Sequence, residues 1–512
     1  MLTTIEPLPR GSINPHETAG VTRGPDGIAR YTGLPSSLVE MLRKQVERAP
    51  NAEAVAEIGG ERRTYLELWN RAARVAGGLR ALGVRKGDRV AIRLPNSMAW
   101  VDAFFGTIMA GAAVVPVNTR FAEPEVEYVV SDSGSTFVFV PGEALLEGQP
   151  YVDENLGPDD MAAIFYTSGT TGFPKGAITS HAAFATNCEN MARALRLEPE
   201  DHIRTLISVP LFHVTGCNSQ LLTALHVGGS SSIMPAMEVA KLLRAVVEER
   251  INFLVTVPAV FALAIAHPDF ATTDVSGVTR VGYGGAPIAP ALVHKLKAAF
   301  PNARVSNGFG MTESASLATV LPDEFAAEHA DSVGFAVPVV DLSLDKVDEH
   351  TGVGELLLRG PNVTRAYWNK PEATQQALLE GGWLRTGDLA RVSPEGFVYI
   401  VDRAKDMINR GGENVYCVEV ENALAGAPGV AEAAVIGVPD DVMGEKVGVV
   451  VVPFPGETPD PQAIAAYVKG KIADFKVPQY VAVRDTPLPR NPGGKVLKPQ
   501  LRRETTWGKP LR

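Results

Sequence analysis

The sequence predicts an α/β protein with a large N-terminal domain and a small C-terminal α+β domain. The chain has 512 residues and is 45% hydrophobic. A chain of this length is too long for a single ordinary core, so two or more domains are expected. Short β-rich runs alternate with helical runs as far as residue 304, a rhythm typical of parallel sheets covered by helices. After residue 335, hairpin-like segments between Gly and Pro turns predict a β-barrel-like subdomain.

The predicted elements follow in chain order. Residues 1–33, rich in Gly, Pro, Thr and Arg, are expected to be an irregular lead-in. The large domain is predicted at residues 34–401 and begins with a helix at Ser37–Arg48. Its further elements are helices at Ala99–Ala110 and Val239–Glu249 and strands at Arg89–Leu94, Ala113–Val117, Thr136–Val140, Met161–Tyr166, Asn252–Val257, Glu355–Arg359 and Phe397–Val401. The polar stretch Asp402–Gly412 marks a boundary, and residues 406–512 have the size of a small domain.

Composition narrows the class of protein. A net charge of −10 gives no basic surface to neutralise nucleic-acid phosphates, so no nucleic-acid partner is expected. The three cysteines form no close pair, which fits a reducing, cytoplasmic compartment. The N-terminus lacks a signal-peptide pattern, and apolar stretches such as Val255–Ala266 are shorter than the roughly 18 residues of a membrane span. Peripheral membrane contact stays open, as does the choice between monomer and homodimer.

A Gly- and Thr-rich loop follows the predicted strand at Met161–Tyr166. Its backbone N–H groups and hydroxyls stand in close succession, and glycines let the chain approach an anion closely. Lys175 adds a positive charge suited to phosphate. The loop leaves a strand end, where α/β sheets bind ligands, and it lacks the Gly-Lys-Ser/Thr of a Walker A loop. The phosphate-binding residues are predicted to be Thr167, Ser168, Gly169, Thr170, Thr171, Gly172 and Lys175.

The whole string Tyr166–Gly176 resembles the signature of the superfamily of acyl-CoA synthetases, luciferases and peptide-synthetase adenylation domains. The resemblance implies the adenylate-forming enzyme fold and a fatty-acyl-CoA ligase-like member, with ATP, Mg²⁺ and coenzyme A as cofactors or co-substrates. A second core motif comprises Asn307, Gly308, Phe309, Gly310, Met311, Thr312 and Glu313. There the resemblance implies that Thr312 binds the α-phosphate and that Glu313, with Thr167, holds Mg²⁺.

Further motifs extend the resemblance toward the C-terminus. Asp388 and Arg403 match its ribose contacts, and Lys405 matches its hinge, so 402–405 is the predicted hinge. Lys495, in a Gly-rich loop, matches the lysine that pairs with the substrate carboxylate and the α-phosphate. Asn409 stands where some relatives carry a lysine that contacts the adenylate, which puts that contact in doubt. The resemblance assigns adenine binding to Gly284, Gly285, Ala286 and Pro287, and the pantetheine tunnel to Gly411, Gly412 and Glu413.

The resemblance implies a two-step reaction. A carboxylate attacks the α-phosphate of ATP to give acyl-AMP and pyrophosphate, and coenzyme A then attacks the acyl carbon after the small domain rotates. Lys495, Lys175, Thr312, Glu313 and His213 are the predicted catalytic residues. Some motif residues have a plainer interpretation: Gly284 in tight strand packing, His213 as an ordinary loop histidine, and Cys417 as a structural thiol.

The acid is predicted from Leu211–Ser219. Amino-acid-activating domains carry an Asp after the Phe, and here that place is taken by His213, so a substrate ammonium would be buried without a partner. A fatty or aromatic monocarboxylic acid is therefore expected. The predicted pocket residues are His213, Val214, Thr215, Cys217, Ser219, Val257, Pro258, Tyr283, Gly284 and Gly308.

Three alternative functions stay open at this point. The first is an acyl-adenylating enzyme that loads a separate carrier protein. The second is a luciferase-like oxygenase, which no residue positively supports. The third is a non-catalytic nucleotide sensor, against which the presence of Lys495, Glu313 and Lys175 argues.

Overall fold

A computed structural model describes residues 5–167, 174–286, 288–411, 413–490 and 496–511. Several predicted site residues lie outside these ranges. They are Ser168, Gly169, Thr170, Thr171, Gly172, Pro287, Gly412 and Lys495.

The described strands and helices alternate through the first half of the chain and become strand-rich in the second. The strands are β1 (Val21–Arg23), β2 (Ala29–Tyr31), β3 (Glu53–Glu57), β4 (Arg62–Thr64), β5 (Arg89–Ile92), β6 (Ala113–Pro116), β7 (Phe137–Phe139), β8 (Met161–Thr167), β9 (Lys175–Ser180), β10 (Arg204–Ile207), β11 (Ser230–Ile233), β12 (Phe253–Thr256), β13 (Arg280–Gly284), β14 (Arg304–Phe309), β15 (Thr319–Leu321), β16 (Phe335–Ala336), β17 (Asp341–Asp345), β18 (Gly354–Arg359), β19 (Leu378–Leu379), β20 (Trp383–Val392), β21 (Val398–Arg403), β22 (Ile408–Arg410), β23 (Glu413–Val415), β24 (Val430–Asp440), β25 (Gly444–Pro453) and β26 (Tyr480–Val483). The α-helices are α1 (Leu38–Arg48), α2 (Tyr65–Ala81), α3 (Met98–Met109), α4 (Glu123–Ser133), α5 (His181–Ala194), α6 (Thr223–His226), α7 (Val239–Glu248), α8 (Pro258–Ala266), α9 (Pro290–Ala299), α10 (Asp323–Ala326), α11 (Pro371–Ala377), α12 (Cys417–Leu424), α13 (Pro461–Lys469) and α14 (Lys498–Glu504).

The described chain divides into two compact units. The first unit comprises the described residues within Met1–Ser343, Leu357–Arg385 and Ser393–Val398, and the second those within Leu344–Leu356, Thr386–Val392 and Tyr399–Arg512. The division runs through strands β17, β18, β20 and β21, which belong to one five-stranded sheet in the order β17-β18-β20-β19 with β21 beside β20. The hinge predicted at residues 402–405 stays a prediction.

Two mixed sheets form the first unit. One has the order β7-β5-β6-β8-β9, in which only β8 and β9 pair antiparallel. The other has nine strands in the order β16-β15-β14-β13-β12-β10-β11-β3-β4, with a parallel centre and antiparallel edges. These sheets and their covering helices confirm the predicted α/β class. Because ligands bind at the carboxyl ends of parallel strands, the ends of β8, β12, β13 and β14 are the places to look for a site.

A large apolar core lies under helices α1, α2 and α3. Trp100 and Phe104 are fully buried and stack with ring centroids 5.3 Å apart. Each such side chain contributes about 1.5–3 kcal/mol by leaving water. Ser37 caps α1 by accepting a hydrogen bond from the Glu40 amide at 3.1 Å. The helix therefore begins at Leu38, one residue after the predicted start at Ser37.

The second unit carries the small α+β domain that the sequence predicts. Its sheet has the order β23-β22-β25-β24, with β26 parallel to β25. β24 and β25 form a long antiparallel hairpin, and Val420, Leu424 and Val449 are among the buried residues of its apolar core.

The lead-in is more ordered than expected. β1 and β2 pair as an antiparallel hairpin with Val21 opposite Tyr31. The Tyr31 hydroxyl donates to Asn190 at 2.7 Å, and Arg193 lies over the Tyr31 ring. These contacts join residues 21–31 to helix α5. Nowhere in the described ranges is a helix both long and apolar enough to cross a membrane.

Candidate active site

The two ends of the Gly-rich loop are held side by side. β8 and β9 form a hairpin in which Thr167 lies opposite Lys175. The Thr167 hydroxyl donates to the Lys175 carbonyl at 3.4 Å. The loop is thus anchored at the carboxyl end of a strand that runs parallel to β6, as the sequence predicts.

Lys175, Tyr367 and Glu313 form a linked group. The Lys175 ammonium lies over the Tyr367 ring, with 5.6 Å from Nζ to the ring centroid. The Tyr367 hydroxyl donates to Oε1 of Glu313 at 2.7 Å. Burial, together with the neighbouring Glu313 carboxylate, raises the pKa of Tyr367 above its ordinary value. The phenol is therefore a protonated donor at neutral pH.

Sequence reasoning missed Tyr367. It lies on a segment after β18 that is hydrogen-bonded both to the end of the Gly-rich loop and to the second core motif. The Trp368 amide donates to the Gly176 carbonyl at 2.7 Å, and the Thr364 amide donates to the Glu313 carbonyl at 2.6 Å. The available signal was an adjacent Tyr-Trp pair in an otherwise polar stretch, which does not by itself indicate a contact 54 positions away.

The adenine motif and the second core motif meet at the carboxyl ends of two neighbouring strands. β13 and β14 are parallel, with Tyr283 opposite Asn307 and Gly284 opposite Gly308. A Cβ on Gly284 would lie 2.2 Å from the Gly308 carbonyl oxygen. Tight packing of the two strands therefore requires a glycine at position 284, as the plainer interpretation of this residue holds. The absence of a side chain also leaves a flat backbone edge at this point. Gly285 and Ala286 follow this edge and are exposed.

The donors predicted for the metal are few. Glu313 is buried and belongs to the short helical turn Thr312–Ser314. This turn packs against strand β9. The first residue of β9, Lys175, lies opposite Thr167. Among the described residues, no group of three or more His, Cys, Asp or Glu could hold a metal ion. Mg²⁺ does not require such a group, because it is usually bound by one or two protein oxygens together with substrate phosphates. A buried carboxylate on a turn that packs against β9, the strand paired with Thr167, fits that pattern.

The acyl segment turns directly into a π-helix at Thr215–Leu222. π-Helical turns are rare and occur frequently at functional sites. His213 lies against Phe212, with ring centroids 4.7 Å apart. Val214 and Cys217 are buried in the large apolar core, and burial raises the pKa of the Cys217 thiol well above its usual value. Ser219 shares a hydrogen bond of 2.7 Å with the Ser316 hydroxyl.

The other predicted pocket residues lie at strand ends. Val257 and Pro258 follow β12 and begin helix α8. Tyr283, near the end of β13, is buried, and its hydroxyl has no hydrogen-bond partner within the described part of the chain. Burial raises the pKa of Tyr283. The loop and the ends of β12 and β13 belong to the same unit, and the acyl pocket that they are expected to form stays a prediction.

The second unit brings the two predicted ribose contacts together. Nε of Arg403 lies 2.8 Å from Oδ1 of Asp388, which is 5% exposed. The Asp388 backbone amide donates to the Thr386 hydroxyl at 3.0 Å. Lys405 is exposed. Gly411 and Glu413 are exposed on the β22–β23 hairpin, where Arg410 lies opposite Glu413.

Cys417 behaves as the structural thiol that the sequence predicts. It is fully buried at the start of α12 and donates to the Asp406 carbonyl at 2.9 Å. Burial raises the pKa of this thiol, so it is not a thiolate at neutral pH.

Comparison with known proteins identifies the class. Residues 42–155 and 140–368 match the family model of the AMP-binding enzyme, and residues 419–495 match that of the AMP-binding enzyme C-terminal domain. Two curated relatives span most of the chain. One is the long-chain-fatty-acid–CoA ligase FadD13 of Mycobacterium tuberculosis, 36% identical over 498 residues that cover 91% of this chain and 97% of that protein. The other is a feruloyl-CoA synthase of Amycolatopsis, 37% identical over 484 residues that cover 90% and 97%.

A solved structure shows the same fold. The o-succinylbenzoate CoA synthetase MenE from Bacillus subtilis, in complex with its acyl-adenylate intermediate, matches with a TM-score of 0.81 at 28% identity, covering 92% of this chain and 99% of that one. The same protein has been solved with ATP and a magnesium ion, with a TM-score of 0.80 at 29% identity, covering 90% of this chain and 98% of that one.

The protein is an adenylate-forming ligase that uses ATP, Mg²⁺ and coenzyme A as predicted. The chain belongs to the AMP-binding enzyme family. Within that family it is an AMP-forming acid–thiol ligase.

Proposed function

We propose that the protein joins coenzyme A to a fatty or aromatic monocarboxylic acid through an acyl-adenylate. The observation that carries the choice of acid is the composition of the predicted acyl region. His213 stands where amino-acid-activating domains carry an Asp, and Val214, Cys217, Val257 and Tyr283 are apolar or neutral. No Arg or Lys is among the predicted pocket residues to pair with a second carboxylate, and no Asp or Glu is there to pair with an ammonium; burying an unpaired charge is costly.

The first half-reaction makes the mixed anhydride. A carboxylate oxygen of the acid attacks the α-phosphorus of ATP, and the bond from the α-phosphorus to the bridging oxygen breaks to release pyrophosphate. We assign Lys175 to the departing phosphates, Thr312 to the α-phosphate and Lys495 to the pair of anions that must approach each other. Each positioned donor of this kind contributes roughly 10²–10³ in rate.

Glu313 and Thr167 are the proposed protein contacts of the metal, which neutralises phosphate charge when bound. Tyr367 fixes the Glu313 carboxylate through its 2.7 Å hydrogen bond. Asp388 is proposed to accept from the ribose hydroxyls. Its contact with Arg403 orients the carboxylate for that task.

The second half-reaction transfers the acyl group. The coenzyme A sulfur bonds to the acyl carbon, the bond from that carbon to the phosphate oxygen breaks, AMP leaves and the thiol proton passes to solvent. We propose that rotation about Lys405 separates the two steps, withdrawing Lys495 and presenting Gly411, Gly412 and Glu413 to pantetheine. A cytoplasmic location is part of the proposal. It rests on three cysteines that are free and buried, as a reducing compartment allows.

The test is acid-dependent pyrophosphate release with and without coenzyme A. The protein is incubated with ATP, Mg²⁺ and a panel of fatty, aromatic, dicarboxylic and amino acids. We expect pyrophosphate with fatty or aromatic monocarboxylic acids, and AMP release that depends on coenzyme A. A His213→Asn variant should lose acid-dependent release, whereas His294→Asn, which alters an exposed histidine on α9, should not.

The panel also separates the alternatives. Turnover with amino acids only would overturn the proposed acid class. Pyrophosphate release with no thioester on coenzyme A would overturn the acceptor and support transfer to a carrier protein. ATP binding without release for any acid would overturn catalysis in favour of a nucleotide sensor.

A further inference from the structure

The turn that carries Thr312 and Glu313 has an unusual backbone. After the short helical turn Thr312–Ser314, two consecutive non-glycine residues take positive φ values, 53° at Ala315 and 117° at Ser316. Such conformations are disfavoured for residues with a Cβ and persist only where surrounding contacts impose them. Non-glycine residues held this way cluster at functional sites.

The π-helix at Thr215–Leu222 supplies one set of these contacts. Nδ2 of the fully buried Asn218 donates to the Ala315 carbonyl. The orientation of the amide is set by Cys188, whose thiol donates to Oδ1 of Asn218 at 3.5 Å. The next residue, Ser219, bonds the Ser316 hydroxyl at 2.7 Å. Consecutive π-helical residues thus hold both positive-φ positions.

Two more buried asparagines hold the flanks of the turn. Nδ2 of Asn362 donates to the carbonyls of Ser314 and Leu317, at 2.8 and 2.9 Å. Oδ1 of Asn187, on helix α5, accepts from the Leu317 amide at 2.9 Å. The Thr364 amide, two residues after Asn362, donates to the Glu313 carbonyl. Side chains from three separate parts of the fold therefore fix one turn.

The turn at Ala315–Ser316 also packs against the backbone at Gly310. A Cβ placed on Gly310 would lie 1.6 Å from the Ser316 carbonyl oxygen. The turn therefore folds back directly onto the backbone of the second core motif. We therefore expect a change at Ala315 or Ser316 to shift the residues between Gly310 and Ser314.

We propose that Asn218 is a positioning residue for the adenylation step. It holds the Ala315–Ser316 turn in its positive-φ conformation and so places Thr312 and Glu313 for the phosphates and the metal. Asn218 lies five positions after His213 on the acyl segment, so the same π-helix connects the acyl region to the phosphate-binding turn. The inference rests on the proposed roles of Thr312 and Glu313.

The test compares two buried asparagines in the full-length protein. Asn218→Ala removes the amide that holds the turn. Asn190→Ala removes an equally buried amide whose partner is the Tyr31 hydroxyl, far from the turn in sequence. We expect Asn218→Ala to lower acid-dependent ATP–pyrophosphate exchange by about 10²-fold, the effect of a misplacement on the order of 1 Å. Asn190→Ala should lower the thermal unfolding midpoint of the ligand-free protein similarly, with exchange close to wild type.

Two further measurements distinguish positioning from general damage. Thioester formation from synthetic acyl-adenylate, which breaks no phosphoanhydride bond, should change less than threefold in Asn218→Ala. Adding Ala315→Gly should recover about tenfold of the lost exchange, because glycine adopts a positive φ without strain. Where Asn218→Ala fails to fold, Asn218→Leu, which removes the donor to the Ala315 carbonyl but keeps a side chain of similar shape, takes its place in the same comparison.

Equal losses in both half-reactions, or no recovery with Ala315→Gly, would overturn the proposal and leave Asn218 with a packing role. Failure of the proposed function has a different appearance, because the unaltered protein would then show no acid-dependent exchange at all.

Discussion

Replacing Tyr367 with Phe tests the link between Lys175, at the end of the proposed phosphate loop, and Glu313, the proposed metal ligand. The change removes one hydroxyl, which donates to Oε1 of Glu313 at 2.7 Å. The ring that lies beneath the Lys175 ammonium is retained. The variant therefore isolates the hydrogen bond from the cation–π contact.

The expected size follows from the kind of hydrogen bond that is lost. A short bond between a phenol and a buried carboxylate is charge-assisted, and such bonds contribute about 1.5–3 kcal/mol. At about 1.36 kcal/mol per tenfold, this corresponds to a loss of roughly 10- to 150-fold. We expect most of the loss in the Mg²⁺ concentration that half-saturates ATP–pyrophosphate exchange, since removing a group that orients a metal ligand typically weakens metal binding 10- to 100-fold.

The chain contains a closely matched control. Tyr31 also donates a 2.7 Å hydrogen bond, to Asn190, and also carries a cation over its ring, Arg193. Tyr31→Phe should change stability and leave the Mg²⁺ requirement where it is. Because the pKa of Tyr367 is raised, the ratio of wild-type to Tyr367→Phe activity should stay flat from pH 6 to 9. Equal Mg²⁺ requirements in the two variants would refute the role given to Tyr367.

Three other changes give separate readouts. Lys495→Ala should abolish pyrophosphate exchange but spare thioester formation from synthetic acyl-adenylate, and equal loss of both steps would remove Lys495 from the adenylation step. Asp388→Asn should raise the KM for ATP about tenfold or more, with Arg403→Lys showing a smaller rise in the same kinetic assay; an unchanged KM would contradict the ribose assignment. His181 is buried with a pKa lowered to about 4 by desolvation, so the unfolded chain binds a proton between about pH 6.5 and 4 that the folded chain does not. Stability should therefore fall by up to about 3 kcal/mol as pH drops through that window, and urea unfolding of His181→Gln should show a shallower pH dependence than the wild type.

Local signals in the sequence were sufficient for many elements of the fold. The helix predicted at Ser37–Arg48 occurs as Leu38–Arg48, because Ser37 is an N-cap and the apolar residues that follow recur at helical spacing. The strand predicted at Arg89–Leu94 occurs at Arg89–Ile92. In each case the residues of the element itself show the pattern, although the strand completes its hydrogen bonds with β6 and β7.

Elements whose own residues show no clear pattern were not predicted. The return strand β9, Lys175–Ser180, has a Gly and two small residues among its six and acquires its structure by pairing with β8. The hairpin β1–β2 has three residues in each strand, too few for a periodic pattern. Likewise, the π-helix at Thr215–Leu222 has an energetically poorer geometry than an α-helix. No local preference selects this π-helix. It is held instead by the buried contacts of Asn218 and Ser219 with Ala315 and Ser316, each 97 positions away.

The same distinction divides the site. Motif comparison proposes Lys175, Thr312 and Glu313 because side chains that contact a phosphate or a metal must be of particular types at particular spacings. It did not find Tyr367 or Asn218, because their partners are a carboxylate oxygen and a backbone carbonyl, which many side chains from many places in a fold could reach. A hydrogen bond to a carbonyl demands only a donor in the right place, and the fold alone determines which residue occupies that place. Differences in rate between relatives with identical motifs should therefore be sought among such donors, with the turn at Ala315–Ser316 as the first position to compare.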